Sequence, residues 1–233
     1  MRIFQSDSPL MEGLSRISDL VILNMVTLVC CIPVITIGAA MTGMHYVLLK
    51  MARNEEGYIV RSYFKAFKEN FRQATCMWLF FLIFGAVFAM DVNLTGGAGI
   101  AFPPALRLLI IAGGIFIFMM YLYAFPLLAR FQNTVFGTLR NAAVLAVAAF
   151  PRTIGMVAAT LLLPVLVLLV RPLVPLMLLF GLSLPGFLCA LLYSPFFKKI
   201  ESRSAELKPG EDGAHGESAE SEPGENEDHC EDA

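Results

Sequence analysis

The sequence predicts an all-α integral membrane protein, a helical bundle of about five transmembrane helices that ends in a disordered acidic tail. Three observations predict it. Hydrophobic residues fill 57% of the 233 positions and charged residues only 15%, whereas a soluble domain carries roughly 25% charged residues. Of the 19 acidic residues, 12 lie at or beyond Glu201, which leaves 7 for the first 200 positions. Apolar runs of spanning length recur through those positions, and crossing hydrocarbon takes about 20 apolar residues. So few charges cannot cover a water-facing surface, but a lipid-facing surface needs none.

The runs place spans at about 20–44, 75–92, 106–128, 153–170 and 172–197. Pro33 lies inside the first, Pro164 inside the fourth, and Pro175 and Pro185 inside the fifth. Prolines are tolerated at membrane depth where neighbouring helices satisfy the freed backbone groups, so these positions argue for a packed bundle. Pro33 leaves two readings of the first run: it crosses once, or the chain reverses there into two pieces.

Lysine and arginine placement sets orientation. The connection from Lys50 to Arg72 holds Lys50, Arg53, Arg61, Lys65, Lys68 and Arg72, while the connection around Asn93–Pro104 holds none. Arg130 to Arg152 holds three, the next connection only Arg171, and the start of the tail Lys198, Lys199, Arg203 and Lys208. The rich connections are expected in the cytoplasm, and with them the C-terminus. Five crossings put the N-terminus outside; reversal at Pro33 returns it inside. No cleavable signal peptide is expected, because the first apolar run follows an acid-containing segment without a basic start.

The first basic connection predicts an amphipathic helix over about 58–73. Tyr63, Phe64, Phe67 and Phe71 fall on one flank at helical spacing, and Arg61, Lys65, Lys68 and Arg72 on the other. An aromatic flank opposite a basic one describes a helix lying in the membrane interface. The basic residues are the candidate face for a partner or for anionic lipid; their plainer role is to orient the protein. Asp91 and Arg107, at the outer ends of the second and third spans, form a candidate structural ion pair.

Beyond Glu201 the chain is rich in Glu, Ser, Gly and Pro. It cannot bury enough apolar surface to fold. A weak internal repeat is visible: Ala52-Arg53 and Ala129-Arg130 each end a span, and Gly57 and Gly137 each precede an arginine by 15 positions. Parallel repeats of this kind occur in transporters.

Motifs for enzymatic chemistry do not emerge. The Gly96, Gly97, Gly99 cluster is not followed by Lys-Ser or Lys-Thr, so it is no phosphate-binding loop. No HExxH, serine elbow or intramembrane carboxylate pair occurs. The cysteines at 30, 31, 76, 189 and 230 form no CxxC pair and no cluster with histidine, so neither a metal site nor a disulfide framework is expected. His45 reads as a hydrogen-bonded structural histidine. Asn24, Thr27 and Thr36 are polar groups at membrane depth, where burial without a partner is costly. No catalytic residue, cofactor, metal or nucleic-acid partner is therefore expected.

The runs DLVILN (Asp19–Asn24), CCIPVITIGAA (Cys30–Ala40) and RNEEGYIVRSYFKAFKENFRQAT (Arg53–Thr75), leading into a Trp78-containing helix, resemble the YesL-like family of bacterial multi-pass membrane proteins, a domain of unknown function. The resemblance covers the first 90 residues. Thr27 departs from the aromatic residue common there in the family, and the long acidic tail differs from the short family ending. The resemblance implies a bacterial cell membrane protein associated with carbohydrate transport, with transporter subunits among its partners, and no established catalytic residues. Two functions are expected from these readings together: a non-enzymatic accessory or regulatory component, or a small transporter or channel in its own right.

Overall fold

The computed structural model describes residues 9–55, 57–97, 103–131, 133–170, 172 and 174–206. Its elements are α1 (Pro9–Cys30), a 3-10 turn (Val34–Thr36), α2 (Ile37–Ala52), α3 (Ile59–Gly97), α4 (Pro104–Arg130), α5 (Val135–Ala148), α6 (Phe150–Leu169), α7 (Val174–Phe180) and α8 (Ser183–Glu206). No strand occurs among the described residues. Among the described residues, five helical segments are long and apolar enough to cross a membrane: α1, the 3-10 turn together with α2, α3, α4 and α6. The all-α, multi-pass membrane class follows from that.

The first expected span, 20–44, is two helices. Proline lacks an N–H and its ring crowds the preceding turn, so α1 stops short of Pro33. The turn is tied by the Thr36 hydroxyl, which donates to the Cys30 carbonyl at 2.6 Å or the Pro33 carbonyl at 2.7 Å. The chain then reverses. Arg16, near the start of α1, donates to Asn54 Oδ1 beyond the end of α2 at 2.8 Å. The start of α1 thus shares an end of the bundle with the Arg53–Gly57 connection. Of the two readings of 20–44, the structure has the reversal at Pro33 and not the single crossing.

The amphipathic helix expected over 58–73 and the span expected over 75–92 are one helix, α3, of 39 residues. At 1.5 Å per residue it is about 58 Å long, roughly twice the ~30 Å hydrocarbon thickness. The change of solvent near Arg72 interrupts the polarity pattern but not the backbone, because no proline lies between Ile59 and Gly97.

One buried stripe runs through this helix: Tyr63, Ala66, Ala74, Met77 and Phe81. Their spacing of three, four or multiples keeps them on one side. Against the stripe lies α2. A Cβ on Gly38 would fall on the Ala74 carbonyl oxygen and within 2.7 Å of Trp78 Cβ, and one on Gly43 would come within 3.1 Å of the Tyr63 carbonyl oxygen. The two glycines let the backbones approach closely, as small residues do between membrane helices.

The far half of α3 packs on α4. Phe81 meets Tyr121 edge-on at 5.4 Å between centroids and Phe125 at 6.1 Å. Farther out, Phe88 fills the place a Gly114 side chain would occupy. Between Phe81 and Met120 neither helix has a fully buried residue among those described, so these halves expose mainly apolar side chains, as lipid contact requires, with Asp91 and Arg107 the charged residues among those described.

A break at Ala149 separates α5 from α6, with Pro151 in the first turn of α6. Thr153 closes it: its hydroxyl lies 3.2 Å from the Ala146 carbonyl, 3.1 Å from the Ala149 carbonyl and 3.1 Å from the Tyr123 hydroxyl on α4. The last expected span, 172–197, is also broken, at Gly181–Leu182 between α7 and α8. Here Asn24 of α1 bridges the gap, donating to the Leu178 carbonyl at 2.7 Å and accepting from the N–H groups of Leu182 and Ser183 at 3.0 and 3.1 Å. Residues 1–195 form one compact unit, and Phe196 onward a second whose described part is the end of α8. The acidic residues from 207 on, Arg171 and residues 98–102, Gly99 among them, lie outside the described residues.

Candidate functional site

The basic end of the bundle is built on the first half of α3. Arg61, Lys65, Lys68 and Arg72 recur every three or four residues, so they form one row. At about 100° per residue the row lies opposite the buried stripe of Tyr63, Ala66 and Ala74. All four are exposed. The aromatic flank turns partly inward. Tyr63 is fully buried and stacks on Phe67 at 6.2 Å, Phe67 meets Phe71 at 5.6 Å, and Phe64 stays 40% exposed. One element thus separates three environments: core, aromatic flank and charged row.

On the remaining flank α3 contributes Lys65, Glu69, Asn70 and Gln73 to a pocket of about 780 Å³. Its second wall is the end of α4, from Leu128 to Phe131, and its third is Asn133 and Thr134 at the start of α5, with Tyr46 of α2 completing it. Local sequence explains the walls. Thr134 is extended and its hydroxyl accepts from the Gly137 N–H at 3.3 Å, capping α5. Asn70 donates to the Ala66 carbonyl at 3.0 Å, which holds its amide along the helix. Lys50 Nζ sits 5.5 Å from the centroid of the Tyr46 ring, a cation–π contact beside the same pocket.

A smaller hollow of about 320 Å³ lies where α1, α2 and α3 meet, lined by Arg16, Asp19, Asn54, Glu55 and Gly57 among others. Asn54 has φ 55°, in the left-handed region that asparagine tolerates better than most residues. That conformation turns its side chain to receive Arg16.

The candidate residues divide between the two ends of α3. Lys65 lines the larger pocket, while Arg61, Lys68 and Arg72 continue the exposed row. Asp91, toward the other end, is half-buried beside an apolar groove of about 650 Å³ between α3 and α4, with Phe84, Phe88, Gly114 and Tyr121. Arg107 is exposed near the start of α4. These two stand on α3 and α4, on either side of residues 98–102 in the chain, and their pairing stays an expectation of the sequence. His45 is buried, its Nδ1 3.4 Å from the Tyr193 hydroxyl. No group of three or more metal-ligating side chains forms among the described residues.

Sequence reasoning missed Arg130, Asn133 and Thr134 as a pocket wall. The signal available was Asn-Thr ahead of an apolar helix, a capping pattern, directly after the arginine of the weak repeat. Both repeated Ala-Arg pairs do mark helix ends, of α2 and α4.

The family described as "protein of unknown function, DUF624" matches residues 20–92. That segment covers the second half of α1, all of α2 and most of α3, and so contains the basic row. No curated protein and no solved structure matches the chain.

Proposed function

We propose that this protein is a non-enzymatic accessory or regulatory component of the bacterial cell membrane, associated with carbohydrate transport, and that its basic end receives a partner. Within DUF624 we place it with the YesL-like proteins. The observation that carries the partner reading is the position of the row: Arg61, Lys65, Lys68 and Arg72 are exposed and lie opposite the stripe that packs the bundle. A row needed only for packing would not stand there. The link to carbohydrate transport rests on the resemblance of residues 19–78. The positive-inside rule supports a cytoplasmic location for this end and for the C-terminus.

The test is association with a carbohydrate transporter, read by pull-down from membranes. The double change Lys65→Gln/Lys68→Gln is expected to weaken capture while topology and expression stay fixed, because Lys50, Arg53, Arg61 and Arg72 still orient the connection. Unchanged capture would leave these lysines an orienting role only. Sugar uptake by the purified protein in liposomes would replace this reading with that of a small transporter or channel.

A further inference from the structure

We infer that the pocket between α3 and the α4–α5 corner binds a phosphate ester that carries hydroxyl groups. The inference stands on the pocket walls and not on the partner reading above, although Lys65 belongs to both.

Charge is the first argument. Lys65 and Arg130 bring two positive charges to the 780 Å³ pocket and Glu69 one negative charge, a net +1. Two cations from separate segments suit the anionic group of a phosphate ester.

The neutral groups are the second argument. Asn70 and Asn133 supply amide donors and acceptors, and Glu69 is an acceptor. Such a lining pairs with hydroxyl groups; phosphate oxygens alone would leave the acceptors unused. Placement is the third. Leu128 and Ala129, which line the pocket at the end of the apolar helix α4, are buried. A pocket at the polar end of spanning helices lies at headgroup depth. The same chemistry is offered by a phosphatidylglycerol headgroup and by soluble glycerol phosphate.

The experiment uses the full chain in nanodiscs of phosphatidylcholine alone and of phosphatidylcholine with phosphatidylglycerol, with thermal stability and native mass as readouts. Glycerol 1-phosphate is added to the phosphatidylcholine discs in a separate arm. Phosphatidylglycerol is expected to raise the melting temperature and to stay bound in the mass spectrum. Arg130→Gln and, separately, Asn133→Leu should weaken retention about tenfold, with Arg140→Gln, exposed and outside the pocket, unchanged. Stabilisation by glycerol 1-phosphate without phosphatidylglycerol would make the ligand a soluble ester. Equal behaviour in both lipids with no response to the ester would overturn the inference, as would equal losses in Arg130→Gln and Arg140→Gln. Arg130 is exposed, and elution of each variant as a single sharp peak checks that the fold is intact.

Discussion

Asn24 on α1 and Leu178 on α7 stand 154 positions apart in the chain and are joined by a 2.7 Å hydrogen bond from Nδ2 to the carbonyl. The same side chain accepts the Leu182 and Ser183 N–H groups. One amide thus replaces the backbone bonds lost where α7 gives way to α8. Asn24→Leu is predicted to cost about 2–4 kcal/mol, since each buried group left unpaired costs ~1–3 kcal/mol. Thr42→Val is the comparison. Its hydroxyl bonds only to the Gly38 carbonyl within α2, and the loss should stay under about 1 kcal/mol. Thermal unfolding in one detergent measures both; equal losses would mean that Asn24 is not the bridge.

Gly38 sets the distance between α2 and α3. Gly38→Ala is predicted to destabilise by about 1–3 kcal/mol, the range for overpacking a tight contact. The obstacle is the Ala74 backbone carbonyl, which cannot swing aside as a side-chain end would. Gly13→Ala, where nothing lies within 4 Å, should be neutral or slightly stabilising through helix propensity. Parallel melting curves decide it.

The reversal at Pro33 predicts that Ser15 and Glu55 lie on one side of the membrane. With the native cysteines replaced, Ser15→Cys and Glu55→Cys should both resist an impermeant maleimide in intact cells, and Gly97→Cys should react. Labelling of Ser15→Cys alone from outside would restore a single crossing of 20–44.

The sequence beyond Glu206 carries ten acidic residues and few apolar ones, too little apolar surface to stabilise a fold. Truncation after Glu206 is predicted to leave insertion and detergent melting temperature unchanged. A fall in melting temperature would show that these residues dock.

Much of this was legible in the chain because one residue pattern carried it. The basic row of Arg61 to Arg72 and the aromatic flank of α3 follow from helical spacing alone, and the apolar runs mark every long helix. The continuity of α3 was hidden because hydropathy reports the surrounding solvent, and solvent changes near Arg72 while the backbone does not. The bridge made by Asn24 was hidden for another reason. Its partners lie in a segment that reads as one apolar run, and only tertiary packing brings the break at Gly181 beside it. The pocket likewise needs α3 and the α4–α5 corner, some 60 positions apart, so no local pattern announces it.

The unbroken course of α3 makes it a lever. About 58 Å of helix is held on α2 at Tyr63, by Gly43, and near its middle at Ala74, by Gly38, with the charged row on one arm and the Phe88 contact with α4 on the other. A tilt of about 10° around that fulcrum would carry each end roughly 5 Å in opposite directions, given the helix rise. Whatever engages the charged arm would therefore be felt at the far membrane face without any message passing from side chain to side chain. A hinge at the fulcrum, built by placing two glycines at Thr75 and Cys76, would uncouple the two arms.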